Sequence, residues 1–236
     1  MRTIGLLGGM SWQSSIEYER AINERVAQRL GGVASADLLI RSFNFAEVEA
    51  LQAAGDWSGC ARLLTEAAMA LEAAGAQAIA ICTNTMHRVA EQVEGALSVP
   101  LLHIADATGA AAKRFGITRV ALLGTRYTME LPFMKDRLRE IFGLEVAVPE
   151  PEARDAVHRI IYDELVQGIF TDASRRDMLT VMRRLVDEGA QGVIAGCTEI
   201  EQLVTNDDAS RALGVPYLAT AKLHADYIAE FALADS

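Results

Sequence analysis

Several things this chain lacks narrow its function before any motif is read. No apolar run approaches the roughly 20 residues that a membrane span needs, and the first residues lack the charged stretch, apolar stretch and cleavage site of a secretory signal. The expectation is a cytoplasmic protein with no membrane partner. Positive charge is short: 22 Lys and Arg stand against 32 Asp and Glu, a net charge of −10. Such a surface attracts neither a phosphate backbone nor anionic lipid, so no nucleic acid partner is expected. Cysteine is scarce, with three residues spaced too widely for a CxxC metal or redox pair, which points to reduced thiols. The four histidines, His87, His103, His158 and His224, form no HxxxH or His/Cys set at ligand spacing, and no metal is expected. No lysine lies in a loop of the kind that announces a Schiff-base cofactor, so pyridoxal phosphate is not implied. The loop Gly5 to Trp12, GLLGGMSW, has neither GxGxxG spacing nor a P-loop lysine, which argues against a nucleotide.

What the chain does contain is an internal repeat. With 51% hydrophobic and 23% charged residues over 236 positions, it can bury a full core as one domain or as two of about 100 to 120 residues. GAQAIAICTNTM from Gly75 matches GAQGVIAGCTEI from Gly189. Leu6-Leu7-Gly8 pairs with Leu122-Leu123-Gly124, Cys82 with Cys197, and Val99-Pro100 with Val215-Pro216, at offsets of 116, 115 and 116 residues. Two similar lobes follow, 1–105 and 106–219, with a C-terminal helix over 220–235 expected to return and pack on the first lobe.

Short β-rich apolar segments alternate with helical patterns, the signature of parallel sheets flanked by helices, an α/β fold. Strands are predicted at Thr3 to Leu7, Asp37 to Ser42, Ala78 to Ile81 and Leu101 to His103, then at Arg119 to Leu123, Glu145 to Val148, Gly192 to Ala195 and Tyr217 to Leu218. A helix is predicted over Ser58 to Ala74, with Leu63, Leu64, Ala67, Met69 and Leu71 at helical spacing and Gly75 as its stop. Another is predicted over Arg154 to Gly168, with Val157, Ile160, Ile161, Leu165 and Val166 on one face.

Ligands of open parallel sheets bind in the loops past the carboxyl ends of the strands. Cys82 and Cys197 both fall in such loops, each at the start of a helix. There the backbone N–H groups favour an anion and can lower a thiol from about 8.5 into roughly the 3.5 to 7.5 range. The expectation is a site that makes thiolate. Two sulfurs aimed at one cleft from opposite sides suit chemistry that removes a proton from one face of a carbon and returns it to the other. Cys60 has no counterpart in the repeat and is assigned to packing or surface. Thr83, Asn84 and Thr85 on one side, and Thr198 with the N–H groups of Glu199 and Ile200 on the other, offer donors to a carboxylate. Thr83 and Thr198 read equally well as helix caps. Met10 and Ser11 in the first loop, and Thr125 in the equivalent GTRYTM loop, are further candidates for ligand contact. His87, a helical turn past Cys82, either tunes the thiol or lies on the surface, and His158 reads as exposed helix.

Four motifs in order, GGMSW, CTNTMH (Cys82 to His87), ALLGTRYTM (Ala121 to Met129) and GCTEI (Gly196 to Ile200), resemble the aspartate/glutamate racemase family over nearly the whole chain, and most closely its broad-specificity bacterial branch. That resemblance implies two pseudo-symmetric α/β lobes, a site between them, a homodimer, and racemisation of an amino acid without cofactor. It assigns Cys82 and Cys197 as the two acid/base groups, with Thr83, Asn84, Thr85, Thr125 and Thr198 as substrate contacts. The chain departs from the glutamate racemase branch, which has Asp-Ser near the first strand and GCTH at the second cysteine, where Met10-Ser11 and GCTEI stand here. Asn44 occupies a position where aspartate is expected in many relatives, and IIYDELVQG (Ile160 to Gly168) carries no lysine; if side-chain carboxylate recognition rests on a lysine there, this chain uses another cation, such as Arg41 or Arg126, or accepts a different side chain. Two other readings keep the residues: a maleate isomerase or arylmalonate decarboxylase relative, and a non-catalytic two-lobed amino-acid sensor.

Overall fold

The computed structural model describes residues 1–234, and the last position of the expected C-terminal helix, residue 235, lies outside them. The chain divides into two compact units, Met1–Ile104 with the segment from His224 onward, and Ala105–Leu223. Each is built on a four-stranded, all-parallel sheet.

In the first unit the strands β1 (Ile4–Gly8), β2 (Leu38–Ser42), β3 (Ala78–Ile81) and β4 (Leu101–Leu102) lie in the order β2-β1-β3-β4. Helices α1 (Trp12–Leu30), α2 (Phe45–Ala53), α3 (Trp57–Ala73) and α4 (Ala90–Glu94) connect them. In the second, β5 (Arg119–Gly124), β6 (Glu145–Ala147), β7 (Val193–Gly196) and β8 (Tyr217–Ala219) lie in the order β6-β5-β7-β8, the same topology. Its helices are α5 (Ile104–Arg114), α6 (Arg126–Glu130), α7 (Pro132–Phe142), α8 (Pro151–Arg159), α9 (Asp172–Asp187), α10 (Thr198–Leu203) and α11 (Asn206–Leu213). The last helix, α12 (Thr220–Leu233), belongs to the first unit from His224 on. There Ala232 O accepts from the N–H of Arg2 at 2.9 Å, and the His224 ring donates from Nε2 to Leu102 O at 2.7 Å. The α/β class and the repeated parallel sheet are as the alternating pattern implies.

The inner strands β1, β3 and β7 are buried on both faces, which is why they read as unbroken apolar runs. Leu64, Ala68 and Leu71 of α3 pack with Ile79 and Ile81 in the first core; Met178, Met182 and Leu185 of α9 pack with Val193 and Ala195 in the second. Cys60 is fully buried on α3, which settles it as a packing residue. Met69, expected on the inner face of that helix, is instead 49% exposed, because the buried stripe runs through Cys60, Leu64, Ala68 and Leu71. The second predicted helix is not continuous. Beyond α8 the chain makes a π turn over Ile160–Glu164 and a 3₁₀ turn over Leu165–Gln167, ending at Gly168 with φ of 77°. Val157, Ile161 and Leu165 stay buried through the change, while Ile160 and Val166 are half-buried against the same core.

Four strands end one residue later than predicted, at Gly8, Gly124, Gly196 and Ala219, and at Gly124 and Gly196 the low strand propensity of glycine hides a close backbone approach. A Cβ on Gly124 would stand 2.7 Å from Gly196 O, and one on Gly196 would stand 2.8 Å from Leu123 O. Gly9 is more constrained still: its φ is +83°, and a Cβ would lie 2.3 Å from both the backbone N and O of Phe43. Gly9→Ala is therefore expected to cost about 1–3 kcal/mol, measured as a lower urea midpoint, and an unchanged midpoint would contradict this packing.

Candidate active site

Strand register places the candidate residues. β1 and β3 are neighbours, with Leu7 opposite Ile81, and the N–H of Cys82 donates to Leu7 O at 2.9 Å. The loop that carries Met10 and Ser11 therefore leaves the sheet beside the one that carries Cys82, Thr83, Asn84 and Thr85. Met10 packs into the apolar core, and Ser11 begins α1, with its hydroxyl 3.2 Å from that of Ser14. Cys82, Asn84 and Thr85 are buried and Thr83 is half-buried. The second unit repeats the arrangement. Gly124 pairs with Gly196, so Thr125 and Cys197 emerge side by side, both buried, followed by the buried Thr198. Each unit thus gathers its own predicted residues at the carboxyl end of its sheet.

Neither threonine beside a cysteine caps a helix. Cys197 itself is the N-cap of α10, and Thr198 donates from Oγ1 to Glu199 Oε2 at 2.8 Å. Asn84, not Thr83, precedes the 3₁₀ turn Thr85–Val89. Thr125 does cap, accepting from the N–H of Thr128 at 3.3 Å. Of the N–H groups expected to meet a ligand, that of Ile200 donates to Cys197 O at 3.1 Å.

Burial opposes the expected ready thiolate in both units. Burial pushes the Cys82 thiol well above its ordinary value. Burial also pushes Cys197 up, the Glu199 carboxylate adds to the rise, and the two backbone N–H groups only partly offset it. A helix start lowers a thiol's pKa where the charge retains some solvent, and desolvation dominates here. The acidic neighbourhood of Cys197 is not among the features read from the sequence, where only the N–H groups of Glu199 and Ile200 are singled out. The thiol donates to Glu199 Oε2 at 3.0 Å, with Glu199 itself buried. Glu201 accepts from the N–H of Ala221 at 2.7 Å and from Thr220 Oγ1 at 3.3 Å, and burial raises its carboxyl to about 8. The Tyr217 hydroxyl, whose ionisation is suppressed first by burial and then by Glu201 and Cys197, is buried with no hydrogen bond among the described residues.

The histidines also depart from expectation. His87 is buried, not a surface residue. Its Nε2 accepts from the N–H of Ile104 at 3.2 Å, so Nδ1 carries the proton and donates to Thr83 O at 2.8 Å. His87 stacks against His103 at 4.3 Å and lies 6.0 Å from the ring of His224, which accepts from Tyr18 at 3.0 Å. Residues scattered in sequence therefore form one buried cluster behind the Cys82 loop. His158 is half-buried, not exposed: it accepts from the N–H of Arg126 and stacks on Tyr162 at 4.6 Å, and burial lowers its pKa. Of the two candidate cations, Arg126 is paired with Asp155 at 2.9 Å, whereas Arg41 is exposed at the end of β2 and makes no ion pair among the described residues. Asn44 caps α2, accepting from the N–H of Ala46 at 3.3 Å.

Comparison with known proteins gives a consistent set of likenesses. A family model described as Asp/Glu/Hydantoin racemase matches residues 7–228. A protein of Yersinia pestis described as a candidate Asp/Glu racemase is 50% identical, over 99% of this chain and 100% of its own, with a TM-score of 0.91. An aspartate racemase homologue from Pyrococcus horikoshii OT3 is 33% identical over 99% of this chain and 100% of its own, with a TM-score of 0.84. A glutamate racemase from Francisella tularensis, solved with D-glutamate, is similar in fold at 14% identity, covering 99% of this chain and 82% of its own, with a TM-score of 0.69.

Glu201 makes stability depend on pH with a definite sign. The unfolded chain releases this proton near the ordinary 4.5, while the folded protein holds it up to about 8. The native state therefore binds more protons over that interval, and stability falls as pH rises through it. Glu201→Gln, which cannot ionise, is expected to flatten the decline between about pH 5 and about pH 8 in urea titrations. An equally steep decline in the variant would contradict the assignment.

Proposed function

Since the chain belongs to the Asp/Glu/Hydantoin racemase family, we propose that it racemises aspartate, glutamate or a related polar amino acid, with Cys82 and Cys197 as paired acid and base on one α-carbon. The observation that carries this reading is the equivalence of the two thiols. Each is buried, reduced and one residue past the third strand in sequence of its own sheet, and the two sheets share one strand order. A maleate isomerase or decarboxylase relative need not keep both.

In this scheme one sulfur, as thiolate, takes the α-proton while the other thiol gives its proton to the opposite face. The second sulfur becomes the thiolate, so no proton is gained or lost in the step. The raised pKa values favour the acid role, since a buried thiol keeps its proton until the carbanion forms. Charge moves onto the substrate carboxylate as the α-proton leaves, and each fixed donor there is worth about 2.7–4 kcal/mol. We assign that task to Thr83, Asn84, Thr85, Thr125 and Thr198, with Met10 and Ser11 lining the site and Arg41 meeting a side-chain carboxylate. The proposal includes no pyridoxal phosphate and no metal, a homodimer as the working form, and the cytoplasm as the compartment.

Chiral analysis of aspartate, glutamate and a panel of polar amino acids, incubated with protein purified without pyridoxal phosphate, tests this directly. Cys82→Ser and Cys197→Ser should each lower racemisation by about 10²–10⁴-fold, and Cys60→Ser should leave it within about twofold. Full activity in either of the first two variants, or dependence on pyridoxal phosphate, eliminates the two-thiol reading. Arg41→Ala should raise KM for acidic substrates about tenfold, roughly 1.4 kcal/mol of binding, with kcat little changed.

A further inference from the structure

The two repeats hold the peptide that follows their cysteine in different ways. In the second unit α10 begins at Thr198 with Cys197 as its N-cap, and the N–H of Ile200 donates to Cys197 O at 3.1 Å, so the helix itself holds that backbone. In the first unit residues 82–84 have no regular structure, and the 3₁₀ turn starts only at Thr85. The strand side of this stretch is anchored by the Cys82 N–H on Leu7 O at 2.9 Å. His87, in the 3₁₀ turn, reaches back to its far side.

The His87 side chain is 3% exposed, with Nδ1 at 2.8 Å from Thr83 O and Nε2 at 3.2 Å from the N of Ile104. A backbone N–H only donates, so Nε2 carries no proton and Nδ1 must carry it. The Ile104 N–H therefore selects the neutral tautomer that donates to Thr83. Ile104 lies 17 residues on, at the start of α5 and two residues past β4, in a segment that is itself pinned. His224 donates from Nε2 to Leu102 O at 2.7 Å, and its Nδ1 accepts from Tyr18 of α1 at 3.0 Å. Between these anchors the His103 ring rests against His87 at 4.3 Å. All of these residues belong to the first unit. The repeat gives no such brace to the second: with Cys82 matched to Cys197, the counterpart of His87 is Gln202, which is exposed.

We infer that His87 is a positioning residue for the Cys82 side of the reaction. Its Nδ1–H holds the Thr83 carbonyl, and with it the irregular backbone that carries the Cys82 thiol and the Thr83 and Asn84 donors. This rests on the two-thiol reading and adds to it what keeps the first thiol's loop in place without a helix. His87 acts through the Thr83 carbonyl and is assigned no proton transfer, since the Ile104 N–H occupies its basic nitrogen.

The two bonds of the ring are separable by substitution. The amide nitrogen of an asparagine falls where Nδ1 lies, so His87→Asn keeps a donor for Thr83 O and needs no tautomer selection. The terminal amide of a glutamine falls where Nε2 lies, so His87→Gln keeps a partner for Ile104 and loses the donor to Thr83. Racemisation kcat should fall about 10²-fold in His87→Gln with KM changed less than about threefold, the cost of a displacement of about 1 Å. In His87→Asn kcat should stay within about threefold of wild type. A glutamine variant as active as the asparagine variant, or more active, overturns the positioning role, because a merely structural residue would not distinguish the two nitrogens.

Two readouts need no turnover. The carbonyl ¹³C resonance of Thr83 should stay near its wild-type position in His87→Asn and move upfield in His87→Gln, and the reverse pattern overturns the inference. In the unaltered protein the ring ¹⁵N resonances of His87 should place the proton on Nδ1. A proton on Nε2 overturns the inference even if neither variant folds. Wild-type protein that racemises none of the amino acids would retire the proposed function, while the Thr83 resonance and the ring tautomer still decide the brace. An active racemase with the His87 proton on Nε2 would do the opposite.

Discussion

The register of parallel strands is the constraint on which the rest depends. Leu7 opposite Ile81, and Gly124 opposite Gly196, fix where each neighbouring pair of chains leaves its sheet, so one loop delivers a cysteine beside another that delivers hydroxyl and backbone groups. A slip of one residue would turn Cys82 and Cys197 to the other face of their sheets. The glycines at the strand ends hold that register by contact: Gly124 and Gly196 approach too closely for any Cβ, and Gly9 rests on the backbone of Phe43. Side-chain chemistry begins only where these backbone contacts end.

Burial then shapes that chemistry in two ways. It denies each sulfur the solvent that would stabilise a thiolate, and in the second unit it brings a carboxylate to 3.0 Å from one of them. A like charge would normally suppress ionisation further. The Cys82 side is organised differently, with His87 donating to the Thr83 carbonyl, the His103 ring tilted against it and the His224 ring edge-on at 6.0 Å. Two copies of one topology have thus acquired different surroundings for the same reactive atom.

Much of this was legible in the sequence, for physical reasons that also mark the limit. Continuous apolar runs ending in Cys-Thr could only be buried parallel strands, and the repeat placed the two cysteines at matching positions. Local pattern does not report close approach across a sheet, so it ends the strands before Gly124 and Gly196. The π turn at Ile160–Glu164 was equally invisible, since Val157, Ile161 and Leu165 keep helical spacing through it. The histidine cluster joins positions up to 137 residues apart, from His87 to His224. The Glu199 side chain carries no signal in the sequence, since a glutamate in a first turn is usually solvated, and here it is buried against sulfur.

The central claim is that two separate groups handle the proton, one on each face of the α-carbon. The most direct measurement is where deuterium goes at early times when a single enantiomer is incubated in deuterated buffer. Deuterium should enter the newly formed enantiomer while the recovered starting enantiomer still carries its original α-hydrogen. Equal early labelling of both enantiomers, or a product that retains the original α-hydrogen, would show a single group at work and contradict the account.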